Sequence, residues 1–338
     1  MNKAIYIPTT VDQILVPHMC FKSAKLRIET HLLAAQNYLE PTCIAVVGES
    51  RTGKSRLLES ITKENPRQRT TDGLEIPVLS IKTPAKPSVK GLVEILLREI
   101  GDPLWHKRGS ENEKTEQLYK LLKETKTHTL IIDEFQHFYD KVSHKVQHYL
   151  SDWLKIFVDR SGLMLIVAGL PDCMAVINQN QQLRGRFLAP IRMPRFDWDN
   201  EDSQDEFIAC LESFQKGLSR YDFPDLTSFE MAFRFYCATG GLIGYLAKVL
   251  HQACLNAQVA NKLSITLEDL AKAYEESVWV DELAPIINPF WPEFETEPSA
   301  YYLEAAQQIG TASPEPIKPR ASRSKFKDEM TAAEVLSR

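Results

Sequence analysis

The sequence predicts an α/β fold, with a parallel five-stranded sheet between helical layers (αβα), then a helical lid domain and a flexible C-terminal tail. Three observations predict it. Short β-branched runs alternate with helical patterns through residues 41–198, helical periodicity alone fills 199–280, and prolines and aromatics crowd residues 281–338. The 338 residues suffice for two domains with cores of their own. A composition of 43% hydrophobic and 25% charged residues matches ordinary globular chains rather than disordered ones. The net charge of -5 excludes a histone-like polycation but leaves room for a basic stripe on one face.

Residues 1–40 open as an extended, proline-punctuated arm and continue into "FKSAKLRIETHLLAAQNYLE", where Leu26, Leu33 and their neighbours recur at helical spacing. Strands follow at "TCIAVVG", "IPVLSI", "TLIIDE", "LMLIVAG" and "APIRM". Between them lie the helical patterns "KSRLLESITK", "VKGLVEILLREI" and "VQHYLSDWLKIFVDR". Beyond residue 199 the strands stop, and "TLEDLAKAYEES" carries Thr266 as an N-cap with Asp269 three residues on. The segment 281–338 ends in the basic cluster "KPRASRSKFK"; judged by its own composition, it buries too little apolar area to order itself until a partner binds. The six cysteines form no CxxC pair and read as reduced thiols, and no run approaches about 18 apolar residues, so the expected location is the bacterial cytoplasm with no membrane contact.

"GESRTGKS" (Gly48, Glu49, Ser50, Arg51, Thr52, Gly53, Lys54, Ser55) matches G-x-x-x-x-G-K-[ST] between a predicted strand and a predicted helix. Backbone N–H groups of such a loop surround phosphates, Lys54 adds a mobile charge, and the Ser55 hydroxyl can ligate Mg²⁺. "TLIIDEFQ" places Asp133 and Glu134 at the end of an apolar strand. Asp133 there can hold Mg²⁺ through water, and the adjacent Glu134 can orient and deprotonate an attacking water. "QQLRGRF" brings Arg184 and Arg186 near the sheet edge, where an arginine serving a neighbouring subunit's phosphate would have to sit; spacing does not choose between them. His144 and His148 stand four apart on a helix without a third ligand, and a solvent-facing role accounts for them.

The ordered set "GESRTGKS", "LIIDEFQ", "VAGLPD", "QLRGRF" and "TGGLIGYLAKVL" resembles the AAA+ ATPases of the TnsC/TniB family, regulators of DNA transposition related to MuB and more distantly to Orc/Cdc6 initiators. The resemblance spans about residues 20–280. It implies an AAA+ P-loop NTPase using ATP and Mg²⁺, a catalytic Glu134 and a trans-acting Arg184 or Arg186. It also implies a ring or helical homo-oligomer on double-stranded DNA that links a TniQ/TnsD-type target selector to the transposase. Sequence-independent DNA contacts would fall between the second and third strands, on Lys107, Arg108 and Lys126. Two departures stand out: Gly169 occupies the place of a polar sensor at a strand end, and "TGGLIG" carries no lid arginine. Both suit a slow, regulatory ATPase. The rival readings are an AAA+ initiator or helicase loader, which shares nearly every motif, and a small-molecule kinase, which has no use for a water-activating glutamate.

Overall fold

A computed structural model describes residues 10–35, 40–84, 87–140, 142–279 and 287–311. After a 3-10 turn at Thr10–Gln13 the chain forms α1 (Met19–Ala35), β1 (Cys43–Val47), α2 (Lys54–Glu64), β2 (Gln68–Thr70), β3 (Gly73–Glu75) and β4 (Val78–Lys82). Next come α3 (Val89–Ile100), α4 (Glu111–Glu124), β5 (Thr129–Asp133), α5 (His137–Asp140), α6 (His144–Ser161) and β6 (Met164–Gly169). The short α7 (Met174–Asn178), α8 (Gln181–Arg186) and β7 (Ile191–Arg192) complete this part. The helical remainder is α9 (Glu201–Gly217), α10 (Phe229–Thr239), α11 (Ile243–Val259), α12 (Leu267–Ser277) and α13 (Ala300–Gln307).

All five strands predicted from the sequence pair in one parallel sheet ordered β4-β5-β6-β1-β7. Successive side chains of a strand point to opposite faces, and here both faces are covered. Ala45, Val47, Ile132 and Val167 join one buried layer with α3, α4 and α6. Ile44, Val46, Ile131 and Ile166 join another with α1 and α2. Because β6 lies between β1 and β5, three loops converge at the C-terminal edge of the sheet: Gly48 after β1, Glu134 after β5 and Leu170 after β6. That convergence positions the site.

The helical part has its own core, built around Phe207, Leu211, Phe235, Tyr236, Leu246 and Tyr274. Its last predicted helix starts as expected, with Thr266 and Asp269 forming a reciprocal capping box. Elements beyond the sequence reading include the exposed antiparallel hairpin β2–β3, the helix α13, and α4, which opens on a capping box of Ser110 and Glu113.

The helical spacing of Leu26 and Leu33 belongs to the outer face of α1, and the expectation for the tail needs correction. Leu26 and Leu33 do not face the core; they are 66% and 81% exposed, and α1 buries Phe21, Ala24, Ile28 and Leu32 instead. Leu26 lies two residues from Ile28, about 200° around the helix, so the two leucines mark its outer stripe. Within the predicted tail, residues 287–311 are not unpacked chain but are built into the helical core. Phe290 and Phe294 are buried there, and Phe290 meets Phe235 edge-on with centroids 4.9 Å apart. The Arg234 guanidinium donates to the carbonyls of Pro289 (2.6 Å) and Trp291 (3.0 Å), and Asn288 Nδ2 donates to the Ala271 carbonyl at 3.0 Å. The segment's own composition is too sparse for a core, but α10 and α12 supply the apolar face it lacks. The basic cluster at 318–327 lies outside the described residues. Among the described residues no helix is long and apolar enough to cross a membrane.

Candidate functional site

β1 ends at Val47, and the loop Gly48–Gly53 turns into α2. Helices α3, α4, α9 and α10 begin with serine or asparagine side chains that accept first-turn N–H groups, whereas α2 begins at Gly53 with no side-chain cap. Its first-turn donors therefore need an acceptor from elsewhere, and an anion suits both them and the positive end of the helix. Lys54 reaches into the same loop, its Nζ donating to the carbonyls of Gly48 (2.8 Å) and Glu49 (2.5 Å). Burial pushes the Lys54 ammonium below the usual lysine range, while the carboxylates of Asp133 and Glu134 pull the other way.

Opposite the loop, Ser55 Oγ donates to Asp133 Oδ2 at 2.6 Å. The Asp133 carbonyl is pinned at 2.9 Å by both the backbone N–H and the hydroxyl of Thr83. A hydroxyl and a carboxylate this close are hard oxygen donors of the kind Mg²⁺ takes, so the pair fits that ion. Glu134 sits at φ 57°, a left-handed conformation that is unusual for a side-chain-bearing residue. It is held there by its own N–H on Asp133 Oδ1 (2.8 Å) and by the next N–H, of Phe135, on the Ala168 carbonyl (2.8 Å). Its carboxylate accepts a hydrogen bond from Gln136 Nε2. Strain of this sort collects where a side chain must be aimed.

A cleft of about 530 Å³ is lined by these polar groups, Lys54, Ser55, Asp133 and Glu134. Apolar residues line the same cleft: Val11 and Val16 of the N-terminal arm, Phe21 of α1, and Ile243 and Ala247 of α11. His18 lines it too. Burial lowers its pKa from 6.5 to about 4, so its ring is neutral, and its Nδ1 accepts from the Phe21 N–H at 3.4 Å. The glycine-marked segment packs straight onto the loop: the Gly244 N–H donates to the Arg51 carbonyl at 2.9 Å, and a Cβ at 244 would lie 2.9 Å from Arg51 Cβ. Arg195, beyond β7, ties three parts together. It pairs with Glu49 of the loop, holding that carboxyl below its usual range, and also donates to the carbonyls of Gly240 (3.2 Å) and Gln307 (3.0 Å).

A family model described as bacterial TniB protein matches residues 17–198, more than half the chain. The chain belongs to the TniB family. No curated protein sequence is detectably similar to it. Among solved structures, this TniB chain is similar to Cdc6p of Pyrobaculum aerophilum, at 16% identity and TM-score 0.58, with 81% of this chain and 70% of that one covered. It is also similar to the ORC2 protein of Aeropyrum pernix in its ADPNP-ADP complexes, at 15% identity, TM-score 0.56, and 84% and 72% coverage. A third is the ORC1 protein of the same organism in complex with DNA, at 15% identity, TM-score 0.55, and 80% and 68% coverage. At these identities the likeness establishes the fold: the TniB chain has the AAA+ P-loop architecture of ORC and Cdc6 proteins.

The other sequence-predicted residues fall in separate places. Arg186 of α8 is engaged within its own chain, donating to Asp159 Oδ1 and Glu40 Oε2, each at 2.8 Å. Arg184, two residues earlier, is exposed and makes no ion pair among the described residues. Lys107 and Arg108 are exposed in the α3–α4 connection, whereas Lys126 precedes β5 and pairs with Glu75 and Asp72 around the hairpin. Sequence reasoning missed the N-terminal arm as a cleft wall, and Thr83, Gln136 and Arg195 as supports. Only Gln136 left a trace in the sequence, two residues past the acidic pair in "DEFQ".

Proposed function

We propose that this TniB chain is an ATP-dependent regulator of DNA transposition. It assembles on duplex DNA, carries one ATP at each interface between copies, and bridges a target-selection factor to the transposase. One observation carries the reading: Lys54, Ser55, Asp133 and Glu134 line one cleft together with apolar side chains of the arm, α1 and α11. The loop N–H groups and Lys54 hold the phosphates, Val11, Val16, Phe21 and Ile243 enclose the base, and Ser55 and Asp133 hold magnesium. When bound, that ion neutralises charge on the terminal phosphates. Glu134 accepts the proton of the water that attacks the γ-phosphate, giving ADP and phosphate.

Completion of the site falls to Arg184 of a neighbouring copy. The two α8 arginines differ in freedom: Arg186 is spent on Asp159 and Glu40, and Arg184 is free to reach outward. Coupling ATP occupancy to assembly in this way makes hydrolysis a timer for the array. Lys107 and Arg108, exposed on the α3–α4 connection, suit salt-sensitive contacts with DNA phosphates; Lys126 would first have to release Glu75 and Asp72.

The test is complementation between subunits. Arg184→Ala should lower hydrolysis by at least about a hundredfold, since an arginine supplied to a transferring phosphoryl group is worth about 10³–10⁵. Arg186→Ala should instead lower the melting temperature and leave turnover within a few-fold. Mixing Arg184→Ala with Glu134→Gln subunits, each inactive alone, should restore activity, because a Glu134-bearing site then meets a neighbour's Arg184. Failure to recover at every mixing ratio would exclude a trans-acting Arg184.

A further inference from the structure

We infer that Gln136 is the residue that positions Glu134, taking over from the loop after β5 the polar role that Gly169 at the end of β6 leaves unfilled. The inference rests on the reading of Glu134 as the water-activating base. Gln136 is 93% buried and lines the same cleft as Glu134, Gly169 and Leu170. Its amide is used at both ends: Nε2 donates to Glu134 Oε2, and Oε1 accepts the Leu170 N–H at 3.3 Å. The partners fix which end is which, because a carboxylate can only accept and a backbone N–H can only donate. The side chain therefore spans from the β5 loop to the first residue beyond β6.

Gly169 is what makes this span possible. A Cβ there would stand 2.6 Å from Gln136 Oε1 and 3.1 Å from its backbone nitrogen, so any larger residue would displace the amide. The missing sensor side chain and the buried glutamine are thus two halves of one arrangement. The backbone on the Gln136 side is also pinned, since Phe135 N–H bonds the Ala168 carbonyl at 2.8 Å and the Gln136 carbonyl accepts from Tyr139 and Asp140. Glu134, with its own φ fixed at 57°, is left with side-chain torsions as its freedom, and the Gln136 amide restrains them. A base aimed in this way keeps its oxygen where the attacking water must lie.

The experiment uses the full chain with duplex DNA and MgATP, reading kcat, KM, affinity for a fluorescent ATP analogue, and melting temperature. Gln136→Met fills nearly the same volume without the amide; Gln136→Ala is its backup should methionine disturb folding. Either folded variant should lose about 10- to 100-fold in kcat, the scale of a misaligned catalytic group, while KM and analogue affinity stay within about twofold. Adding Gly169→Asn to Gln136→Ala places an amide in the vacated space from the β6 side, and should recover several-fold of the lost kcat. A folded Gln136→Met enzyme with wild-type kcat, alongside an inactive Glu134→Gln enzyme, overturns the role of Gln136 while sparing that of Glu134. A double variant that folds but turns over no faster than Gln136→Ala also overturns it. If Glu134→Gln itself hydrolyses ATP normally, the base assignment falls and this inference falls with it.

Discussion

Lys54→Ala is expected to remove nucleotide binding at working concentrations and, with it, any nucleotide-dependent assembly. The Lys54 ammonium now bridges the Gly48 and Glu49 carbonyls of the loop, and those contacts would be exchanged for phosphate oxygens. Hydrogen bonds to charged groups contribute about 1.5–3 kcal/mol each, so losing one weakens binding about 10- to 150-fold. Burial raises the stake, because a partly desolvated ammonium interacts strongly with an anion. Titration with a fluorescent ATP analogue, followed by sedimentation with and without nucleotide, reads both effects. Assembly that stays nucleotide-dependent in the variant would remove ATP grip by Lys54 from the account.

Glu134→Gln should separate binding from hydrolysis. Glutamine matches glutamate in shape, and its carbonyl oxygen can still accept the Gln136 Nε2 hydrogen bond, so the φ 57° turn and its supports stay in place. What is lost is the proton acceptor, and a positioned general base is worth about 10²–10⁴ in rate. Phosphate release should fall by that factor, ATP affinity should change little, and DNA-bound oligomers should persist longer because the timer no longer runs. Unchanged turnover, or oligomers that vanish, would count against Glu134 as the water-activating group.

The sheet was legible because a parallel strand covered on both faces leaves an uninterrupted apolar run, and all five such runs became strands. The loop motif was legible for a different reason: its glycines, lysine and serine serve one anion and little else. Hairpin β2–β3 left no such mark, since it is exposed and its short polar strands alternate with nothing. The segment at 287–311 was misjudged because its order depends on a surface supplied by α10 and α12, which its own composition cannot reveal. The arm was opaque in the same way: Val11, Val16 and His18 are ordinary residues until the fold brings them to the same cleft as α11. Arg184 and Arg186 are chemically identical in sequence, and only Asp159 and Glu40, distant in the chain, tell them apart.

The organising claim is that ATP held by Lys54 and Ser55 of one copy is completed by Arg184 of the next, joining subunits into an array on duplex DNA. Electron microscopy of the full chain with duplex DNA and a slowly hydrolysed ATP analogue tests it most directly. The expected image is a ring or filament around the duplex, with analogue density between subunits and a neighbour's Arg184 against its terminal phosphate. Subunits that remain monomeric at high concentration, whatever nucleotide and DNA are added, would contradict it.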